Sequence, residues 1–259
     1  MPRVLVTGAA KRIGRAIALD LAACGYDVAV HYGTSEAAAL EVVDQIKGLG
    51  RRAVAVQGDL MIEQEVTQLV PKAVAGLGGA LDCLINNASV FEHDRLDTAT
   101  RSSWDRHLEV NLRAPFVLTQ MFAAQCPKAG KDAHSEPVAT GAVINLVDQR
   151  VRKLTPDFMT YTLSRAALWS LTQTLAQALA PQIRVNAIGP GPTLRGGRQD
   201  QAKFDQQRAA TILQRGSNPE DICEAVRYVL FARAVTGQLI CVDGGQHMAW
   251  ETPDVQNLE

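Results

Sequence analysis

The sequence predicts an α/β protein built on a mostly parallel, doubly wound sheet. Seven short runs rich in β-branched residues alternate with longer helical stretches, the spacing of strand–helix–strand crossovers. Several of these runs are apolar at successive positions, as strands covered by helices on both faces must be. The first run also enters its helix through a glycine-containing turn, Thr7-Gly8-Ala9-Ala10-Lys11-Arg12-Ile13-Gly14.

Residues 3–7, 27–31, 53–57 and 81–85 read as the first four strands, each a β-branched or aliphatic run. Helical patterns at 13–23, 36–47 and 63–77 connect them, and a longer one covers 103–125. The polar stretch 128–140 reads as a surface loop leading to a fifth strand at 142–147. A helix at 159–180, a strand at 183–188, a helix at 219–232 and a strand at 238–242 complete the pattern. Residues 192–201, rich in Gly and Arg, are expected to form a mobile segment beginning a lid over about 192–215. No Pro/Gly-rich linker divides the chain, so 1–259 is expected to form one domain. The last dozen residues lack periodicity and are expected to pack on a neighbouring subunit.

Composition narrows the function. A net charge of −1 supplies no excess of cations for general nucleic-acid binding. No apolar run reaches the roughly 20 residues that span a bilayer, and the chain enters its first strand without a leader pattern. Cys24, Cys83, Cys126, Cys223 and Cys241 lack pairing or metal-ligand spacing, as expected for reduced thiols in the cytoplasm. The five histidines show no metal-ligand spacing either, so no metal is expected.

A strand, a glycine turn and a helix in that order form the frame of a dinucleotide site. Gly8 permits the tight turn, Gly14 lets helix and strand pack closely, and the helix N-terminus offers N–H groups to a diphosphate. Lys11 and Arg12 are cations at the positive end of a helix, which a bound polyanion would explain. The second strand ends in His31-Tyr32-Gly33-Thr34-Ser35, with no acid before Glu36. A carboxylate there would bind the free ribose of NAD; hydroxyls beside Lys11 suit a 2′-phosphate, so the cofactor reads as NADP(H).

Tyr161 and Arg165 lie four apart on a helix and share a face, which predicts a cation that favours the phenolate. Asp148 stands thirteen residues before Tyr161, at the end of the fifth strand. With Asp59, Asn86-Asn87-Ala88, Asn111 and Pro190-Gly191, these motifs resemble the short-chain dehydrogenase/reductase family over essentially the whole chain. The resemblance implies a single-domain Rossmann fold with a seven-stranded parallel sheet and a homotetramer. It implies a cofactor site of Gly8, Lys11, Arg12, Ile13, Gly14, His31, Ser35, Asp59, Leu60, Asn87, Ala88, Ser89, Tyr161, Arg165, Ile188 and Thr193. Asp59 and Leu60 would lie at the adenine and Thr193 near the nicotinamide. Asn111 would support the proton relay and Tyr161 would be the general acid.

Two positions depart from the common family pattern. Asp148 stands where most members have serine, which is similar to the pteridine reductases. That group also shares the Arg in the turn, the His31-Tyr32-x-x-Ser35 run and an aromatic at Phe91 that stacks on the pterin. The resemblance implies Arg12, Phe91, Asp148 and Tyr161 as the substrate site and a pteridine as substrate. The second departure is Arg165, in place of the family lysine. Arg keeps the charge but not the shape. A generic carbonyl reductase and a non-catalytic NADP(H)-binding protein are the alternatives.

Overall fold

Strand runs apolar at every position can be satisfied only by cover on both sides, and the computed structural model has that arrangement. It describes residues 1–196 and 199–252. The chain forms β1 (Arg3–Val6), α1 (Arg12–Ala23), β2 (Asp27–Tyr32), α2 (Glu36–Gly48), β3 (Ala53–Gln57) and α3 (Glu63–Leu77). It continues through β4 (Cys83–Asn86), α4 (Arg101–Leu108), α5 (Ala114–Gln125), β5 (Gly130–Lys131), β6 (Pro137–Val138) and β7 (Gly141–Leu146). The last elements are α6 (Met159–Leu179), β8 (Ile183–Pro190), α7 (Gln201–Ala209), α8 (Pro219–Phe231) and β9 (Leu239–Val242).

Seven strands make one sheet in the order β3-β2-β1-β4-β7-β8-β9, and every neighbouring pair is parallel. Alternate side chains divide between two cores. Val4, Val6, Cys83 and Ile85 pack with α1, α2 and α8, whereas Leu5, Leu84 and Val143 pack with α3, α5 and α6. β1 lies between β2 and β4, so the chain winds outward to β3 and then returns to the other side. The carboxyl ends of β1 and β4 therefore flank the switch point at which such sheets bind ligands. Arg184 of β8 fastens α8 by donating to the carbonyls of Val229 and Leu230, each at 2.7 Å.

The expected elements are present within two residues of their boundaries, with three differences. The 128–140 stretch contains the small antiparallel hairpin β5–β6, its turn closed by Asp132, which accepts from the His134 and Glu136 N–H groups. The expected helix over 103–125 is interrupted by a π-helical turn, Glu109–Arg113. Pro115 has no N–H to give the Asn111 carbonyl, so the regular ladder cannot run through this point. The lid region contains α7, which the apolar pattern does not reveal because only Phe204 of this helix is buried.

Gly197 and Arg198 of the expected lid, and residues 253–259 of the C-terminal segment, lie outside the described residues. No helix among the described residues is long and apolar enough to cross a membrane. None of the five cysteines is disulfide-bonded.

Candidate active site

The glycine turn is held from three sides. Gly8 adopts a left-handed φ of 62°, and its N–H donates to His31 Nδ1 at 3.0 Å. Thr7 Oγ1 accepts from the N–H groups of Asn87 and Ala88 at 2.9 and 3.0 Å, joining the turn to the end of β4. Asn87 Nδ2 donates to the Thr7 carbonyl at 2.8 Å. A Cβ on Gly14 would lie 2.3 Å from the Gly8 carbonyl oxygen and 2.4 Å from Asn87 Nδ2, so only glycine fits. No side chain caps α1, whose N-terminus begins at this turn. A glycine cradle ending in an uncapped helix start is suited to a diphosphate.

His31 requires a correction. The sequence reading places it among the cofactor contacts, but its ring is 2% exposed and both nitrogens meet the backbone. Nε2 lies 3.0 Å from the Gly58 carbonyl and, with Nδ1 accepting from Gly8, carries the proton. Burial pushes the imidazole down to about 4, so it stays neutral. His31 shapes the turn from behind.

Ser35 stands at the start of α2 without capping it through its hydroxyl, and Lys11 is exposed at the start of α1. Arg12 takes a left-handed φ of 57°, a conformation that favours glycine. Its two terminal nitrogens each donate at 2.9 Å to the carbonyls of Leu194 and Arg195, fastening the 192–196 segment to the turn. Asp59 is exposed, beside the largely buried Leu60. Ser89 is exposed too, its hydroxyl donating to the Val90 carbonyl at 3.1 Å. The Ile188 side chain, expected to line the cofactor, is fully buried in the core instead, so only its backbone can face a ligand. Thr193 is buried and shares a 2.5 Å hydrogen bond with Ser217.

The candidate acid–base group forms where β7 ends and α6 begins. Tyr161 donates its hydroxyl to Asp148 Oδ2 at 2.9 Å, and Asp148 Oδ1 accepts from the Arg150 N–H at 2.8 Å. Burial raises the Asp148 carboxyl above its ordinary value, against the pull of Arg150, Tyr161 and Arg165. Arg165 lies over the Tyr161 ring at 5.3 Å. The expected lowering of the phenol is overturned: burial and the adjacent Asp148 raise it, and Arg165 offsets only part of that rise. Both shifts disfavour the charged form.

Arg165 is 2% exposed, and its Nε is buried without a hydrogen-bond partner. Such an unpaired donor is costly in a protein alone, and fits the hydroxyls of a cofactor ribose. Asn111, within the π-helical turn, exchanges 2.9 Å bonds with both backbone groups of Val90 and donates to Ser164 at 3.1 Å. It ties the β4 loop to α6.

Phe91 meets Tyr161 in a T-shaped contact, with ring centroids 4.7 Å apart. It also stacks flat on Phe158, with centroids 4.4 Å apart and planes 5° apart. Phe91 remains 49% exposed. The sequence reading missed Phe158, for which no motif exists. It also missed Asp94, whose signal is indirect: Phe158-Met159-Thr160 offers no good capping residue at the first position of a long helix. Among the described residues no cluster of three or more potential ligands could hold a metal.

Residues 8–247 match the family model described as enoyl-(acyl carrier protein) reductase. The 3-oxoacyl-(acyl-carrier-protein) reductase FabG of Staphylococcus epidermidis is 33% identical over 250 residues, covering 94% of this chain and 98% of its own. The crystal structure of FolM, alternative dihydrofolate reductase 1, from Brucella canis complexed with NADP has a TM-score of 0.90 and 44% identity, covering 98% of this chain and 97% of its own. A short-chain dehydrogenase from Burkholderia cenocepacia in complex with NADP has a TM-score of 0.86 and 34% identity, covering 95% of this chain and 97% of its own. The chain belongs to the short-chain dehydrogenase/reductase family of oxidoreductases.

Proposed function

We propose that this protein is an NADP(H)-dependent reductase of a flat heterocycle of the pteridine type. The observation that carries the reading is buried Tyr161, bonded to the half-buried Asp148 and in T-shaped contact with a half-exposed Phe91. A ring C=N gains hydride at carbon and a proton at nitrogen on reduction, and NADP(H), when bound, supplies the hydride. Tyr161 would give its hydroxyl proton to the ring nitrogen, and Asp148, whose carboxyl burial raises, would in its protonated form return one to the phenolate oxygen across the same 2.9 Å contact. Phe91, stacked on Phe158 yet half exposed, offers aromatic surface for a planar ring to contact.

The cofactor would lie on the Gly8–Gly14 turn, with Arg165 Nε directed to the ribose and Lys11 and Ser35 to the 2′-phosphate. FolM of Brucella canis, an alternative dihydrofolate reductase with 44% identity, supports the substrate class. The 33% identity to FabG favours a second reading, reduction of a 3-oxoacyl ketone. Mixing the protein with NADPH and a dihydropterin should consume NADPH, and a diaminopteridine should compete. Turnover of 3-oxoacyl thioesters without dihydropterin turnover would favour the second reading. The reading also carries a cytoplasmic homotetramer: Trp104 and Leu163 on α4 and α6, with Tyr228 and Phe231 on α8, are exposed apolar side chains that partner copies would cover.

Two measurements address the cofactor. Charge-assisted bonds to a 2′-phosphate are worth about 1.5–3 kcal/mol, so NADPH should bind roughly ten- to a hundredfold more tightly than NADH. Equal dissociation constants from fluorescence titration would remove the assignment of Lys11 and Ser35. Arg165→Lys should keep kcat within about tenfold, since the charge stays while the planar fork is lost. Complete loss of turnover with intact NADPH binding would show that this site is fitted to arginine.

A further inference from the structure

α6 carries Tyr161 and Arg165, yet nothing at its own start caps it. The flanking residue, Phe158, sits at a left-handed φ of 58° and supplies no side-chain cap. The missing acceptors come from the loop after β4. Asp94 Oδ1 accepts from the Thr160 N–H at 3.1 Å, and the Asp94 carbonyl accepts from Phe158 and Met159 at 2.8 and 3.3 Å. Asp94 Oδ2 accepts the hydroxyls of Thr160 and Ser103, the latter at 3.3 Å. This places a carboxylate at the positive end of the α6 dipole.

A second buried group locks the arrangement. His107 is fully buried; its Nε2 accepts from the Glu92 N–H at 3.2 Å, so the proton is assigned to Nδ1. Nδ1–H then donates to Thr160 Oγ1 at 2.7 Å, and the Thr160 hydroxyl donates to Asp94. The hydrogen-bond chain from His107 to Asp94 is complete.

We infer that Asp94 is a positioning residue for Tyr161, capping α6 one residue before the phenol and joining it to the loop that carries Phe91. The inference rests on the reading of Tyr161 as proton donor. The body of α6 does not depend on this cap, since Leu168, Thr172 and Ala176 anchor it in the core. Loss of the cap therefore acts on the first turn, where Tyr161 lies. Phe91, three residues before Asp94, contacts the Tyr161 ring. One carboxylate thus sets the spacing between the stacking face and the proton donor.

Asp94→Ala should lower kcat by about tenfold to a hundredfold, the scale of a misplacement near 1 Å. The NADPH dissociation constant should stay within about threefold, since the glycine turn is untouched. On protein labelled with 13C-tyrosine, the resonance that Tyr161→Phe removes should shift in Asp94→Ala. Asp94→Asn keeps an acceptor for Thr160 N–H and should restore most of the rate. An unmoved resonance with kcat near wild type would overturn the inference. Parallel loss of rate and NADPH binding would also overturn it, because that marks a general structural role.

If Asp94→Ala does not fold, Thr160→Val removes the bridging hydroxyl and carries the same test. Unchanged kcat and resonance in that variant would likewise overturn the inference. The substrate reading fails separately. A wild type that reduces ketones but no dihydropterin leaves the Asp94 test to run on the ketone. A wild type that reduces neither ends the proton-donor reading, while the tyrosine resonance still decides the positioning.

Discussion

Tyr161→Phe is expected to lower the reduction rate by about 10²–10⁴, the usual range for a lost general acid. The ring remains in place, so its edge contact with Phe91 and the Arg165 guanidinium above it persist. What disappears is the hydroxyl that donates to Asp148. NADPH binding should change little, so the loss should appear in kcat, measured by NADPH absorbance at saturating substrate. A variant within about threefold of wild type would remove Tyr161 from the proton path.

The protonation state of the pair sets the pH dependence. Burial raises the Asp148 carboxyl, so its proton persists at a pH where an exposed aspartic acid has lost it. A rate that depends on this proton falls as pH rises through the raised value, and Asp148→Asn should flatten that limb. The phenol is raised as well, by burial first and Asp148 second. In the proposed reaction it would therefore act as a neutral donor, with Asp148 as its hydrogen-bond partner.

The parts of the molecule legible in the sequence are those where one physical demand dominates. The strands of the main sheet are visible because helices cover both faces of the sheet and most strand positions are apolar. The β5–β6 hairpin and α7 are not, because two-residue strands and a helix with one buried side chain leave no periodic trace. The i,i+4 spacing correctly puts Arg165 beside Tyr161. It cannot report burial, and burial decides the direction in which the phenol moves. Phe158 and Asp94 act across the gap between two loops, a distance that local pattern does not encode. His31 misleads for a related reason: all six residues of β2 are buried, so its ring points inward although the strand ends at the ligand site.

That inward ring makes the fold sensitive to acid. His31 has an ordinary value of 6.5 and is pushed down to about 4 by burial. The unfolded chain therefore binds a proton that the folded chain refuses, and stability falls as pH drops through that window. The difference amounts to roughly 3 kcal/mol when fully developed. The cause is steric as well as electrostatic, because a proton on Nδ1 would face the Gly8 N–H that Nδ1 now accepts. His31→Asn presents an uncharged acceptor near the same place and does not titrate. It should be less stable near neutrality, because it loses the buried bond to Gly58, but its stability should vary less with pH. Urea unfolding between about pH 6.5 and 4 would measure both slopes. The other acids and histidines lowered by the fold, Asp27, Glu63, Asp94 and His107, titrate equally in both proteins, so the difference isolates His31. Equal slopes would mean that His31 accepts its proton without disturbing the turn. In that case Thr7 and Asn87 alone would hold the turn in shape.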